Sequence, residues 1–205
     1  MTWLYKKLKS FIYRWSRRGK VGERKTHSQA KKLRMYKKVV SSVYCIKNNP
    51  VPTEIDTIVI TKYGWIIIET KHLTGKLTGK TTDEQWTLST RNHHRKMHNP
   101  IMQNAIHIQA LNQSLPQYKH IPKYSLIVFD EAVSWESKNG SSLLVYRNEL
   151  NHKIKQLLQN KKQVSTQSDV RSMAKTLLSM KKISITNRQK HIRHVRKRQK
   201  LGNHS

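Results

Sequence analysis

Residues 54–71 read Glu54-Ile55-Asp56-Thr57-Ile58-Val59-Ile60-Thr61-Lys62-Tyr63-Gly64-Trp65-Ile66-Ile67-Ile68-Glu69-Thr70-Lys71. Ile, Val, Thr and Trp dominate, as they do in strands, and Tyr63-Gly64 is short enough for a tight antiparallel hairpin. The stretch predicts two strands, Glu54–Lys62 and Trp65–Leu73. Asp56 stands inside the first and Glu69 inside the second, and carboxylates within apolar strands need a reason. Side chains alternate along a strand, so Glu69 and Lys71 share a face, and hairpin pairing can bring Asp56 beside them.

Working outward, the chain turns β-branched at Val39–Lys47, before the loop NNPVPT with its two prolines. A helix is expected upstream from about Gly22 to Lys38. Downstream, Gly75 and Gly79 punctuate a short segment, and Trp86-Thr87-Leu88 reads as another strand or an edge. After Asn99-Pro100 a helix is expected from Ile101 to about Leu115, where Pro116 stops it. Tyr124–Phe129 and Ser142–Tyr146 read as short strands, followed by helices through Leu157-Leu158 and over Asp169–Met180. The predicted fold class is α/β, in the order helix, three strands, helix, strand. No repeat of 20 to 50 residues and no glycine-rich linker divides the chain.

The chain has 205 residues, with 41 Lys and Arg against 11 Asp and Glu, a formal net charge of +30. That length suits one domain with extensions. No apolar run approaches the roughly 18 residues of a bilayer span. One cysteine, Cys45, excludes an internal disulfide framework and any cysteine-based zinc site. The expected setting is the cytoplasm of a bacterium. A surplus of positive charge this large opposes folding by self-repulsion, so a polyanionic partner is expected, nucleic acid first and an anionic membrane surface second.

The ends carry much of the excess. Residues 1–20 hold no acid, and Leu4, Leu8, Phe11 and Trp15 recur at helical spacing among basic residues. Residues 1–18 are thus expected to form a basic amphipathic helix. Three placements suit it: on a membrane surface, on DNA, or against the domain itself. Residues 161–205 are expected to form a basic, helical or disordered tail, with Arg193, Arg196, Lys197 and Arg198 as phosphate contacts. Arg91, Arg95 and Lys96 form a third basic stretch and are likewise expected at nucleic acid.

Two carboxylates at a strand edge make a hard-oxygen site suited to Mg²⁺ or Mn²⁺. A neighbouring ammonium can orient water or stabilise charge developing on a phosphate. Asp56, Glu69 and Lys71 also read as a buried ion pair with one solvated acid. The scarcity of acids adds weight to the first reading. His94 and His98 have the spacing of a helical metal pair, but cationic neighbours and the lack of a third ligand favour a surface role. Trp65, Trp86 and Cys45 read as packing residues, and Asp130-Glu131 as a turn.

The ordered set Glu54-Ile55-Asp56, Gly64 to Lys71, Gly75, Gly79, Trp86 and Asn99-Pro100-Ile101-Met102-Gln103, with His107 and Leu111, resembles the nuclease-related domain, NERD. Gly19-Lys20-Val21-Gly22-Glu23 resembles the Gly-x-x-Gly-Glu opening of that domain's first helix. The resemblance covers residues 19–146 and places the nuclease-like domain at 19–160. It implies the PD-(D/E)xK, restriction-endonuclease-like core, to which the charge pattern adds basic helical extensions at both ends. By the same resemblance, Asp56 and Glu69 are metal ligands and Lys71 the catalytic lysine. Glu23 is implied as a further acid near the metal, and Gln103 as facing the same pocket. Ile55 stands where proline commonly precedes the aspartate in the superfamily, as is ordinary for the NERD branch.

The function expected is metal-dependent hydrolysis of DNA phosphodiesters with little sequence specificity. Mg²⁺ or Mn²⁺ would be held by Asp56 and Glu69, with the Thr70 carbonyl completing the shell. The alternative is a nucleic-acid-binding protein on a nuclease scaffold, peripherally associated with a membrane through residues 1–18.

Overall fold

The structure, a computed structural model, describes residues 19–45, 53–136 and 143–180. The expected helix at 1–18 and the C-terminal cations from 181 onward lie outside the described residues. Residues 19–31 are helical (α1), and the chain then enters β1 (Lys37–Cys45). The predicted helix is therefore shorter than expected, because Ala30 and Leu33 supply its last buried contacts and Lys37 already pairs with Thr61. There follow β2 (Thr53–Thr61), β3 (Gly64–Lys71), β4 (Gly75–Thr78), β5 (Gln85–Ser89) and β6 (His94–His98). The remaining elements are α2 (Pro100–Ser114), β7 (Lys123–Phe129), β8 (Val133–Glu136), β9 (Leu144–Tyr146), α3 (Leu150–Leu158) and a helix over 167–180 (α4).

The larger sheet has the order β1-β2-β3-β7-β9. Its first three strands pair antiparallel, and β3-β7 and β7-β9 pair parallel. The hairpin turn is Lys62-Tyr63, one residue earlier than expected, since Gly64 already pairs with Thr61. Gly64 sits at φ +133°, and a Cβ there would lie 2.6 Å from the Pro122 carbonyl oxygen, so no other residue fits without moving the backbone. Two cores form on opposite faces of this sheet. On one face Ile58, Ile60, Trp65 and Ile67 pack against Ala110 and Leu111 of α2 and Val170, Met173 and Leu177 of α4. On the other, Val59, Ile66, Ile68 and Leu126 pack against α1 and α3. The core thus reaches past residue 160, where the sequence places the end of the domain.

A second sheet, β6-β5-β4-β8, was largely hidden in the sequence. It arises because β3 and β7, already parallel neighbours, both turn a corner together and continue as the parallel pair β4-β8. Gly75 N donates to Ala132 O at 3.2 Å across that corner. Asp130, only 4% exposed, is held there by ion pairs to His72 and Arg147. The turn expected at Asp130-Glu131 is present at residues 131–132, but Asp130 itself is a buried anchor. His94 and His98 lie on β6, a strand, so the helical metal-pair geometry does not arise; both are exposed, as expected.

Among the described residues no helix is long and apolar enough to cross a membrane.

Candidate active site

The interruption of one strand ladder marks the site. β1 and β2 pair continuously except at Ser42 opposite Asp56, which the ladder skips. Ser42 has φ +54°, the one positive value at a non-glycine among the described residues. Such a conformation is costly for a residue with a Cβ and flips the direction of the chain's side chains locally. Accordingly Val40 and Val43, three apart, reach the same core, as do Ile55 and Ile58. Asp56, on the interior strand β2, is thereby released from regular pairing with β1.

Register does the rest. Thr57 pairs with Ile68, so one step further Asp56 comes beside Glu69. Asp56 Oδ2 accepts a hydrogen bond from Thr70 N at 2.8 Å. Glu69 and Lys71 share the face that α2 covers. Lys71 Nζ donates to Glu69 Oε1 at 2.6 Å and to Gln103 Oε1 of α2 at 2.7 Å. The expected convergence of Asp56, Glu69, Lys71 and Gln103 is present in this geometry.

α2 is aimed by its N-terminus. Asn99 caps it by accepting from Ile101 N at 2.9 Å, with Pro100 in the first turn. The Asn99 amide also donates to Thr81 O and Asp83 O, tying the helix to the loop before β5. Further along, buried Asn104 donates to Ile67 O and Ser125 Oγ, which pins α2 across β3 and β7. One turn after Gln103, His107 is 3% exposed. Its Nε2 lies 3.1 Å from Glu69 Oε2 and its Nδ1 lies 2.8 Å from Thr53 Oγ1. With the Thr53 hydroxyl donating to Nδ1, the Nε2 proton points at Glu69. Sequence reasoning assigned His107 no role; its spacing of four from Gln103 on a helix beside the acid strand was the available signal.

The electrostatics separate the two acids. Burial and repulsion from Glu69 push the Asp56 carboxyl well above the usual range, with Glu23 adding to the rise; the Thr70 N–H and Lys71 oppose it. Burial also acts to raise Glu69, but the His107 hydrogen bond and the Lys71 ammonium prevail and hold it below its ordinary value. One carboxyl is thus kept ionised beside another that resists ionisation.

These residues line a cleft of about 880 Å³ between the two sheets. Gly19 and Glu23 enter from α1, Gln103 from α2, and Arg95, Lys96 and His98 from β6. Gly22 lets α1 approach: a Cβ there would lie 2.8 Å from His72 Cβ. Arg95 and Lys96 are exposed at the cleft mouth, and partial burial lowers the Arg95 pKa. Arg91 lies exposed on the turn between β5 and β6, outside the cleft lining. Arg193, Arg196, Lys197 and Arg198 lie outside the described residues. Trp65 and Trp86 are buried packing residues, Trp86 Nε1 donating to Lys80 O at 2.7 Å.

Among the described residues no three His, Cys, Asp or Glu side chains come together as a metal cage. Asp56, Glu69 and the backbone of Thr70 instead offer a hard-oxygen set of the kind Mg²⁺ accepts when water and phosphate complete its shell.

The model of the nuclease-related domain family, NERD, matches residues 18–130. An uncharacterized protein of Bacillus anthracis is 29% identical over 152 residues, covering 70% of this chain and 68% of that protein. No solved structure matches the chain. The matched segment runs from α1 through β7 and so contains Glu23, Asp56, Glu69, Lys71 and Gln103; the chain belongs to the NERD family, of the restriction-endonuclease-like superfamily.

Proposed function

We propose that this chain is a metal-dependent nuclease that hydrolyses DNA phosphodiesters with little sequence preference, on a restriction-endonuclease-like core. The observation that carries the reading is Lys71. Its ammonium is held at 2.6 and 2.7 Å by Glu69 and Gln103 at the floor of a cleft that also contains Asp56. A lysine fixed by two side chains is pre-aimed, which is what stabilising a transient phosphorane charge requires.

Asp56 and Glu69, with the Thr70 carbonyl, are the residues that would hold Mg²⁺ or Mn²⁺, and their chemistry fits. Burial first and then repulsion from Glu69 raise Asp56, and a divalent cation would relieve the repulsion. Bound there, the cation would polarise the scissile phosphate and acidify a water molecule. Lys71 orients that water or steadies the developing charge. Gln103 fixes the lysine, and Glu23 adds a third acid to the cleft from α1. Arg95 and Lys96 engage backbone phosphates, which makes affinity steeply salt-dependent and insensitive to sequence.

A second reading is a binding protein on this scaffold. Both Glu69 oxygens already have partners, Lys71 and His107, and that occupancy favours it. The two are separated by incubating the purified protein with supercoiled and linear DNA in Mg²⁺ or Mn²⁺, beside EDTA, Glu69→Ala and Lys71→Ala controls. Cleavage abolished by chelation and by either substitution supports the nuclease. Equal DNA binding by all variants without cleavage supports the scaffold reading.

A further inference from the structure

Charge is unevenly placed around the cleft. The α2 rim has the sequence PIMQNAIHIQALNQS, fifteen residues without one Asp, Glu, Lys or Arg, in a chain of net charge +30. Helix α1, which lends Gly19 and Glu23 to the cleft lining, is the opposite on the face beside the cleft. Lys20, Arg24, Ser28 and Lys31 recur at spacings of four, four and three, which places them on one helical face, and all are exposed. Glu23, the one acid of α1, points into the cleft instead. Beside that face Lys25, Ser28 and Lys32 edge a second groove, of about 310 Å³, with Arg147 and one acid, Glu131, to which Arg147 is paired. Across the cleft from α1, β6 presents Arg95 and Lys96.

We infer that the exposed face of α1 is a phosphate track, and that a nucleic-acid backbone runs along it, across the cleft, to β6. This rests on the nuclease reading and deepens it by giving the substrate's path. Lys20 to Lys31 spans eleven residues, about 16 Å of helix, which matches about five phosphates of one duplex strand measured along its axis. The uncharged α2 rim takes no phosphate, so the backbone crosses between the two basic rims and does not lie along the third.

The test is the salt dependence of DNA binding by the full chain in EDTA, where no cleavage occurs. The probe is a labelled 20-base-pair duplex, titrated from 50 to 300 mM KCl. The triple variant Lys20→Gln, Arg24→Gln, Lys31→Gln keeps good helix formers on α1. Each lost phosphate contact lowers the slope of log K against log salt by about 0.9, so the triple variant should lower it by two to three. The control Lys155→Gln, Lys161→Gln, Lys162→Gln removes the same charge from exposed positions in and just after α3, away from the cleft. It should lower the slope by less than one. Equal slope changes in the two triples overturn the track while leaving the nuclease reading intact. No DNA binding by the wild type overturns both. Anionic phosphatidylserine vesicles bound by the wild type but not by the α1 triple, with DNA slopes unchanged, would assign the surface to a membrane and overturn the inference.

Discussion

Replacing His107 by alanine probes the site without metal or substrate. His107 bridges Thr53 and Glu69 through contacts of 2.8 and 3.1 Å, and both it and Glu69 are 3% exposed. Losing a donor to a buried carboxylate costs about 1.5–3 kcal/mol, and the Thr53 hydroxyl loses a partner worth about 1 kcal/mol. A total near 3 kcal/mol corresponds to a fall in Tm of about 6–12 °C for a chain of this size. The sign with pH follows from Glu69. Its folded carboxyl is held below the ordinary value of 4.5, so its contribution is fully present above pH 4.5 and is lost as pH falls through the folded value. The gap between wild type and His107→Ala is therefore widest at neutral pH and narrows below pH 4.5. Urea denaturation in EDTA at several pH values measures it. His107→Gln, which can return a donor near Glu69, should recover part of the loss. An alanine variant as stable as wild type at pH 7, or a gap that does not change with pH, would refute the role given to His107.

Other outcomes follow from packing. Burial pushes the Cys45 thiol up to about 12, so a thiol reagent at pH 8 should leave the native protein unlabelled and react fully once urea unfolds it. Burial lowers the Lys123 ammonium to about 8 from 10.5, so between those values the unfolded chain binds a proton that the folded chain does not. Lys123 thus makes stability rise with pH over that window, and Lys123→Met should flatten the rise; an unchanged slope would count against it. In an ordinary helix Gly→Ala stabilises by up to about 1 kcal/mol. Gly22→Ala should instead lower Tm, because the new methyl meets His72; a higher Tm would show that α1 does not approach His72 this closely.

What the sequence revealed was what local chemistry encodes. The β-branched run to either side of Gly64 specified the central hairpin, and Asn99-Pro100 specified the start of α2 through a side-chain cap and a missing donor. Alternation placed Glu69 and Lys71 on one face. The second sheet was only partly legible: Trp86 and Leu88 alternate in β5 and read as a strand, but β4 and β8 are four residues each, and His94–His98 exposes four of five side chains, with Met97 alone half-buried. Its existence depends on β3 and β7 turning a corner side by side, a non-local event. The flip at Ser42 likewise has no local sign, since neither glycine nor asparagine occupies the strained position. His107 stood in the family-like set without a role, because its contact with Glu69 depends on α2 being pinned through Asn104 to β3 and β7, which no local signal shows. Asp130 read as a turn residue because His72 and Arg147, which hold it, are 58 and 17 positions distant.

The central claim is that the Asp56, Glu69 and Lys71 cluster does chemistry. Lys71→Ala tests it most directly when DNA affinity in EDTA and single-turnover cleavage in Mn²⁺ are measured on the same preparation. The account predicts affinity within about twofold of wild type, as Lys71 is one cation among many, and cleavage slowed by about 10²–10³. Cleavage at the wild-type rate in Lys71→Ala, or a loss of affinity that matches any loss of rate, would contradict it.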